Sequence, residues 1–222
     1  MDQFVPIDGK GCLDVDPTEL DPKSCYKLVS GLVVPRPIAL TTTKSVKGVV
    51  NAAPFSFFNL YSEDPVVVVL GLSDNPDGST KDTLNNMRET GEFVVHVVTE
   101  DIAEKMNVCS TEFPPDISEI DIANFSLTPS RVVSPPTIAE AAMAIECKVM
   151  SITPVSTQRV LIIGEGVRVR ARPGIVDKER MYVDLAAYRP IARLFGNLYA
   201  YLGDSFELRR LSFEEWRKQN KD

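Results

Sequence analysis

Four consecutive valines, Val66 to Val69, lie within the apolar run from Pro65 to Leu72. A strand with one solvent face alternates apolar and polar residues, so an unbroken run of β-branched residues predicts a strand buried on both faces. Two more β-rich runs precede it, at Ile38 to Thr43 and Val49 to Leu60, with a polar glycine turn at Lys44 to Gly48 between them. The sequence therefore predicts a β core.

The rest of the chain is predicted to add three strands and two short helices. The strands are expected at Glu92–Val98, Ala144–Thr153 and Val160–Arg170, and the helices at Lys81–Thr90 and Asp101–Cys109. Between Ser110 and Pro136, several prolines among Asp, Ser and Thr predict a long excursion over the surface. Many strands with only short helices favour a small closed β barrel over a doubly wound α/β sheet.

The two ends of the chain are predicted to be less regular than its middle. Residues 1–28 contain two Asp-Pro steps and few periodic apolar positions, so we expect a poorly regular N-terminal arm. Residues 29–211 are expected to form one domain. Residues 212–222 form a tail that is either a terminal amphipathic helix or a frayed end.

Composition disfavours several classes of function. With 24 basic and 31 acidic residues, the net charge of −7 would repel a nucleic-acid backbone. The apolar runs are far shorter than the ~20 residues needed to cross a bilayer, and the first residues do not resemble a signal peptide. We therefore expect a cytoplasmic protein with neither a nucleic-acid nor a membrane partner.

Cysteine and histidine usage argues against a metal site or a hydrolase. Cys12, Cys25, Cys109 and Cys147 are widely spaced, and His96 is the single histidine. Neither a zinc site nor a catalytic triad can be assembled from this set, so we expect reduced, structural thiols and a buried, hydrogen-bonded histidine. A Gly-x-Gly-x-x-Gly fingerprint is also missing, which argues against a Rossmann site for a tightly held nicotinamide.

Small polar residues flank the turn at Lys44 to Gly48. They are Thr41, Thr42 and Thr43 before the turn and Asn51, Ala52 and Ala53 after it. Hydroxyls and backbone N–H groups can hold a phosphate without burying a fixed charge, and alanines let a flat ring approach the main chain. Strand alternation sends Thr41 and Thr43 to one face and Thr42 to the other. Because threonine is also a common strand residue, the triplet by itself leaves both interpretations open.

Three further groups have both a functional and a structural interpretation. Ser79, Lys81 and Thr83 lie at a predicted helix start, where a phosphate would find free N–H groups and where Ser79 or Thr80 would equally serve as an ordinary N-cap. The aromatic run from Pro54 to Phe58 is typical of a core, with Ser56 as its polar exception. Arg36 is a second cationic candidate for binding a phosphate, although an arginine at the surface can be explained without any ligand.

Two segments carry a family resemblance. Pro-Arg-Pro-Ile-Ala at 35–39, followed by Asn-Ala-Ala-Pro-Phe-Ser-Phe-Phe at 51–58, resembles the flavin-reductase-like family of FMN-binding split β barrels. Ser-Thr-Lys-Asp-Thr at 79–83 is similar to the element that contributes to FMN phosphate binding in that family. The resemblance implies that FMN is bound by a set comprising Arg36, Thr41, Thr42, Thr43, Asn51, Ala52, Ala53, Pro54, Ser56, Phe57, Ser79, Lys81 and Thr83.

The same resemblance implies a fold, a partner and an activity. Family members are mainly β, homodimeric split barrels with a few inserted short helices, and FMN lies near the subunit interface. NAD(P)H would be a transient electron donor, and electrons would pass through FMN to a flavin, oxygen, a partner oxygenase or another small acceptor. Two alternatives stay open: an FMN carrier or electron-transfer protein without NAD(P)H oxidation, and a β-barrel interaction domain without a cofactor.

The chain also departs from the family pattern. His96 stands where many members have asparagine, and the histidine that often follows the Ile-Gly-Glu strand is missing after Glu165. Phe195 and Asn197 differ from the closing element of the family. In that element Arg193 and Tyr199 are expected to border either the flavin or the dimer contact, or to have an ordinary surface role.

Overall fold

A computed structural model of the protein describes residues 13–75, 77–111, 113–114 and 117–220. The strands of this part of the chain are β1 Arg36–Pro37, β2 Ala39–Lys44, β3 Val50–Phe55, β4 Phe58–Glu63, β5 Val66–Ser73, β6 Glu92–Val97, β7 Leu127–Thr128, β8 Thr137–Ile138, β9 Met143–Ser156, β10 Arg159–Ala171, β11 Val176–Asp177, β12 Tyr182–Val183, β13 Ile191–Arg193 and β14 Tyr199–Tyr201. The α-helices are α1 Pro22–Leu32, α2 Asp82–Thr90, α3 Ala103–Val108, α4 Glu119–Ile122, α5 Leu185–Tyr188 and α6 Phe213–Gln219, and short 3-10 helices lie at Pro17–Glu19 and Glu100–Ile102. The mainly β fold with a few short helices is therefore confirmed.

Seven strands form one antiparallel sheet in the order β3-β2-β6-β9-β10-β5-β4. Its two outermost strands, β3 and β4, are separated in the chain by Ser56 and Phe57 alone. The sheet must therefore curl until its edges meet at this corner. There the backbone N–H of Gly71, on β5, donates to the carbonyl oxygen of Phe57 at 2.7 Å. The result is a barrel closed at one corner.

Two apolar clusters lie on opposite faces of the barrel wall. The interior cluster contains Leu70 and Phe93, both fully buried, and the inner face of α2 through Met87. The outer cluster packs α3 and α4 against β2 and β3 through Met106 and Ile120. This packing fixes the positions of α2, α3 and α4 around the end of β3.

The structure corrects two of the sequence-based expectations about secondary structure. The run from Val49 to Leu60 is two strands rather than one, because the chain turns the barrel corner at Ser56 and Phe57. The segment expected to be a poorly regular arm contains α1, which also extends past residue 28. Asp21 is the N-cap of α1 and accepts from the N–H groups of Lys23 and Ser24 at 3.0 and 3.1 Å, with Pro22 at the first helical position. Residues 1–12 of the predicted arm lie outside the described residues.

The predicted helix after β5 is confirmed, but its cap differs from the expectation. Lys81 is the N-cap residue, while the Ser79 hydroxyl donates to Asp77 at 2.6 Å instead of capping α2. The C-terminal end is as predicted, since Gly91 has φ of 69° and can adopt this left-handed conformation without steric cost. The C-terminal tail forms α6, which begins with a capping box between Ser212 and Glu215.

Within the ranges described, no helix combines the length and the apolar character that a membrane-spanning helix requires.

Candidate functional site

A polar cleft of about 150 Å³ lies where the end of β3 meets the start of α2, the end of α3 and the start of α4. Five of the predicted site residues line this cleft: Asn51, Ala53, Pro54, Lys81 and Thr83. The sequence analysis did not assign a site role to the other lining residues. They are Phe55, Asn75, Asp82, Cys109, Ser110, Thr111, Phe113 and Glu119.

Lys81 supplies the positive charge of the cleft. Its Nζ donates to Asn75 Oδ1 at 2.9 Å, and the side-chain nitrogen of Asn75 donates to the Ser79 hydroxyl at 3.0 Å. Ser79 itself is exposed and does not line the cleft. Its bonds to Asn75 and Asp77 hold the loop that positions Lys81, so its contribution to the cleft is indirect.

The first turn of α2 leaves backbone donors available at the cleft. Among the described residues, no side chain caps this helix at its N-terminus. The first N–H groups of a helix have no partner within the helix, and the helix dipole places partial positive charge there. Lys81 adds a full positive charge at the same end. This combination favours an anionic group such as a phosphate.

Asn51 connects β3 to both neighbouring helices. With its amide oriented to satisfy its neighbours, Oδ1 accepts from the Thr83 hydroxyl at 2.9 Å and Nδ2 donates to Glu119 Oε1 at 3.2 Å. The other carboxylate oxygen of Glu119 accepts from the backbone N–H of Ala52 at 3.3 Å. Ala52 contributes only this backbone group, because its side chain is fully buried in the outer cluster.

Burial and like charge shift the titration of two groups in the cleft. Burial raises the pKa of Glu119 above its ordinary value, and the nearby Asp82 raises it further. Burial also raises the pKa of the Cys109 thiol to about 12, with a smaller contribution from Glu119. Cys109 is therefore a protonated, unreactive thiol at neutral pH.

Arg36, Ser56 and Phe57 line a different hollow, of about 540 Å³, on the other side of the barrel corner. The guanidinium of Arg36 donates to the carbonyl oxygens of Ser30, Val33 and Leu194, and its Cζ lies 5.8 Å from the centre of the Phe57 ring. Arg36 thus ties the end of α1 to the segment after β13. Contact between Arg36 and FMN stays a prediction, and these carbonyl oxygens already engage the two terminal nitrogens of the guanidinium.

The three threonines of β2 are fully buried. Thr42 donates to the carbonyl oxygen of Pro136 at 2.7 Å, on the opposite face from Thr43, which accepts from Asn86 at 3.0 Å. The predicted alternation is therefore confirmed. The hydroxyl of Thr41 lies 3.4 Å from the carbonyl oxygen of Ala39. None of the three threonines lines the cleft, and direct ligand contact by Thr41, Thr42 or Thr43 stays a prediction.

His96 is buried and hydrogen-bonded, as predicted. Its Nε2 accepts from the backbone N–H of Ile138 at 3.0 Å, so Nδ1 carries the proton and donates to the carbonyl oxygen of Leu40 at 2.9 Å. Burial lowers the pKa of the imidazole to about 4. His96 is therefore neutral at physiological pH and joins β6 to β2 and β8.

Arg193 and Tyr199 belong to a third hollow, of about 620 Å³, beside α3. The Arg193 guanidinium stacks over the Tyr199 ring, with Cζ 4.6 Å from the ring centre. In the part of the chain that the model describes, no group of three or more His, Cys, Asp or Glu side chains is arranged to hold a metal ion. Cys25, Cys109 and Cys147 are free thiols.

Four of the eight lining residues that sequence reasoning missed come from the segment between Ser110 and Pro136. Its proline-rich composition indicated a loop that could border a site, but no local motif marked Glu119. The position of Glu119 depends on Ile120, which is 2% exposed in the outer cluster and anchors α4 against the barrel. Such a tertiary contact has no short-range sequence signal.

The fold and the cleft define an antiparallel β-barrel protein with a polar site beside its closed corner. Residues 31–192 match the model of the flavin reductase like domain, and the chain belongs to this family, which confirms the resemblance. The protein BH2278 of Halalkalibacterium halodurans is 40% identical over 211 residues, covering 93% of this chain and 100% of that protein.

Two solved structures show that the similarity extends over nearly the whole fold. The 2-nitrobenzoate 2-nitroreductase NbaA of Pseudomonas fluorescens is 37% identical with a TM-score of 0.83, covering 90% of this chain and 98% of that chain. Component B of nitrilotriacetate monooxygenase from Bacillus cereus is 34% identical with a TM-score of 0.85, covering 89% of this chain and 98% of that chain. Both names describe parts of oxidoreductase systems.

Proposed function

We propose that this protein is an FMN-binding oxidoreductase that takes electrons from NAD(P)H and passes them to a flavin, oxygen or another small acceptor. Membership of the flavin reductase like family supports the flavin and the redox chemistry. The observation that carries the choice of a phosphorylated flavin is the cleft that combines Lys81 with the uncapped start of α2. We also propose that the protein acts in the cytoplasm.

The donors in the cleft suit the phosphate of FMN. An ammonium group has three N–H donors, and among the described contacts Lys81 uses one of them on Asn75. The other donors, together with the backbone N–H groups at the start of α2, would hold the phosphate. When bound, FMN would supply the electron transfer between a nicotinamide and an acceptor.

The end of β3 would face the flavin ring. Ala53 has a small side chain and Pro54 has no N–H group, so this strand end offers a flat surface with few polar groups of its own. The carbonyl oxygens and the following backbone N–H groups would orient the polar edge of the ring. The role of these residues is placement, since the chemistry belongs to the cofactor.

The size of the cleft supports the proposal of a homodimer. Sites for drug-sized ligands and cofactors typically measure roughly 300–1,000 Å³. The cleft of one chain encloses about 150 Å³, which is enough for a phosphate and part of a ribityl chain. We propose that a second copy of the chain supplies the missing walls.

An absorbance spectrum of the purified protein tests this function directly. After incubation with FMN and gel filtration, we expect flavin absorbance to travel with the protein, and we expect that absorbance to bleach when NADPH or NADH is added without oxygen. Light scattering on the same sample gives the mass of the particle, for which we expect two chains.

The results separate the proposal from its alternatives. A yellow protein that neither nicotinamide bleaches would identify an electron carrier instead. A colourless protein that binds neither added FMN nor riboflavin would contradict a flavin site altogether.

A further inference from the structure

Glu119 places a carboxylate against the donors at the floor of the cleft. Its two oxygens accept from the Asn51 side chain at 3.2 Å and from the Ala52 backbone N–H at 3.3 Å. Ala52 lies on β3, which is an outermost strand of the sheet, and its N–H is shared between Glu119 and Asn51 Oδ1, which lies 3.3 Å away. A carboxylate of the chain itself thus occupies positions that suit an acidic or polar ligand.

The charges that surround Glu119 do not compensate its own charge fully. The titratable side chains that face it from neighbouring elements, or that belong to its own helix, are Lys47, Lys81, Asp82, Glu89, Cys109 and Asp121. Lys81 is committed in part to Asn75. Near the start of α2, the carboxylates of Asp82 and Glu119 therefore outnumber the ammonium of Lys81, and the cleft is not strongly positive.

We propose that Glu119 is a specificity-determining residue that weakens the binding of phosphorylated flavin relative to flavin without a phosphate. This inference rests on the proposed function. A phosphate held at Lys81 brings close to two negative charges into the cleft that Glu119 also lines. Repulsion between the phosphate and the Glu119 carboxylate costs binding energy, whereas riboflavin carries no such charge.

A proton on Glu119 would relieve this repulsion. Because a bound phosphate disfavours the ionised carboxylate, FMN binding would be accompanied by proton uptake at Glu119. The repulsion that Glu119 exerts on FMN would therefore weaken as the pH falls, and the affinity for riboflavin would not depend on it. The raised pKa of Glu119 in the ligand-free protein brings this titration closer to neutral pH.

The test compares FMN and riboflavin binding in three proteins by quenching of flavin fluorescence. The wild type is compared with Glu119→Gln, which keeps the shape of the side chain without its charge, and with Asp121→Asn. Asp121 lies on the same helix but is exposed, and it does not line the cleft. The Asp121→Asn variant therefore controls for a general change in charge.

We expect Glu119→Gln to bind FMN about tenfold more tightly than the wild type near pH 8, the factor that one pKa unit of interaction represents. The riboflavin affinity of Glu119→Gln should differ from that of the wild type by less than about threefold. The FMN affinity of Asp121→Asn should match that of the wild type within the same factor. The advantage of the variant for FMN should shrink as the pH falls and Glu119 of the wild type gains a proton.

Two results would overturn the inference: equal FMN affinity in the wild type and Glu119→Gln, or an equal change for FMN and riboflavin. Either would leave the proposed function standing, because the wild type would still bind flavin. Failure of the wild type to bind either flavin would refute both proposals. Should Glu119→Gln fold poorly in a melting experiment, Glu119→Ala takes its place in the same comparison, and equal FMN affinity in Glu119→Ala and the wild type would overturn the inference.

Discussion

The Thr83 hydroxyl donates to Oδ1 of Asn51 at 2.9 Å and thereby joins the first turn of α2 to the end of β3. Both side chains are buried, at 1% and 8% exposure, yet both line the cleft. Asn51 passes the connection on to Glu119 of α4. A single amide therefore links the strand end to both helices that would hold the ligand.

Replacing Thr83 with valine removes this connection without a large change in volume. The Asn51 oxygen would lose a buried donor, so we expect the free energy of unfolding to fall by about 1–3 kcal/mol. Thr90→Val is the matched control on the same helix, because among the described contacts that hydroxyl bonds only to the Asn86 carbonyl oxygen of its own helix. Urea unfolding of both variants measures the difference, and equal losses would contradict the linking role of Thr83.

Lys81→Ala tests the assignment of the phosphate end of the cleft. A hydrogen bond to a charged group contributes about 1.5–3 kcal/mol, so we expect FMN affinity to fall by roughly tenfold to a hundredfold. Riboflavin affinity should change little. Lys23→Ala, an exposed lysine on α1, controls for the loss of net charge. An unchanged dissociation constant for FMN would remove Lys81 from the site.

The sequence could predict the barrel because the signals for its strands are local. The valine run of β5, the glycine turn after β2 and the left-handed Gly91 each follow from the residues themselves. The Asp-Pro step before α1 was also a local signal: an N-cap followed by proline at the first helical position predicts a helix start. The expectation of irregular chain at this step was wrong, because the same two residues cap and start a helix.

The site could be predicted only in part, because it depends on which side chains the fold covers. Lys81 and Asn51 belong to the segments that resemble the family, and both line the cleft. Thr42 was also among the predicted site residues, but its hydroxyl donates to the Pro136 carbonyl oxygen, 94 residues away in the chain. Glu119 carries no motif and reaches the cleft through the packing of α4. Long-range contacts of this kind cannot be derived from strand alternation.

Gly164 of β10 provides a test of the barrel interior. A Cβ atom at this position would meet the ring of Phe93, with Cε1 at 2.8 Å and Cζ closer still, and Phe93 is fully buried. We therefore expect Gly164→Ala to lower the free energy of unfolding by about 1–3 kcal/mol through overpacking. Gly203→Ala is the control, because a Cβ atom there would meet nothing within 4 Å. Thermal or urea unfolding measures both variants, and an equally small loss of stability in the two would contradict this packing.

His96 predicts how stability depends on pH. Burial lowers the imidazole pKa from 6.5 to about 4 in the folded protein. Between these values the unfolded chain binds more protons than the folded one, so stability is fully present above pH 6.5 and is lost as the pH falls toward 4. For one fully buried imidazole, the loss approaches roughly 3 kcal/mol at the acid end.

His96→Asn removes the titrating group while keeping an amide donor and acceptor on the strand. We expect this variant to be less stable than the wild type near pH 7, because the shorter side chain cannot reach both Leu40 and Ile138 as the imidazole does. Its stability should nevertheless fall less between about pH 7 and pH 4.5 than that of the wild type. Urea unfolding of both proteins at the two pH values gives the comparison, and parallel losses would show that carboxylates rather than His96 govern the acid response.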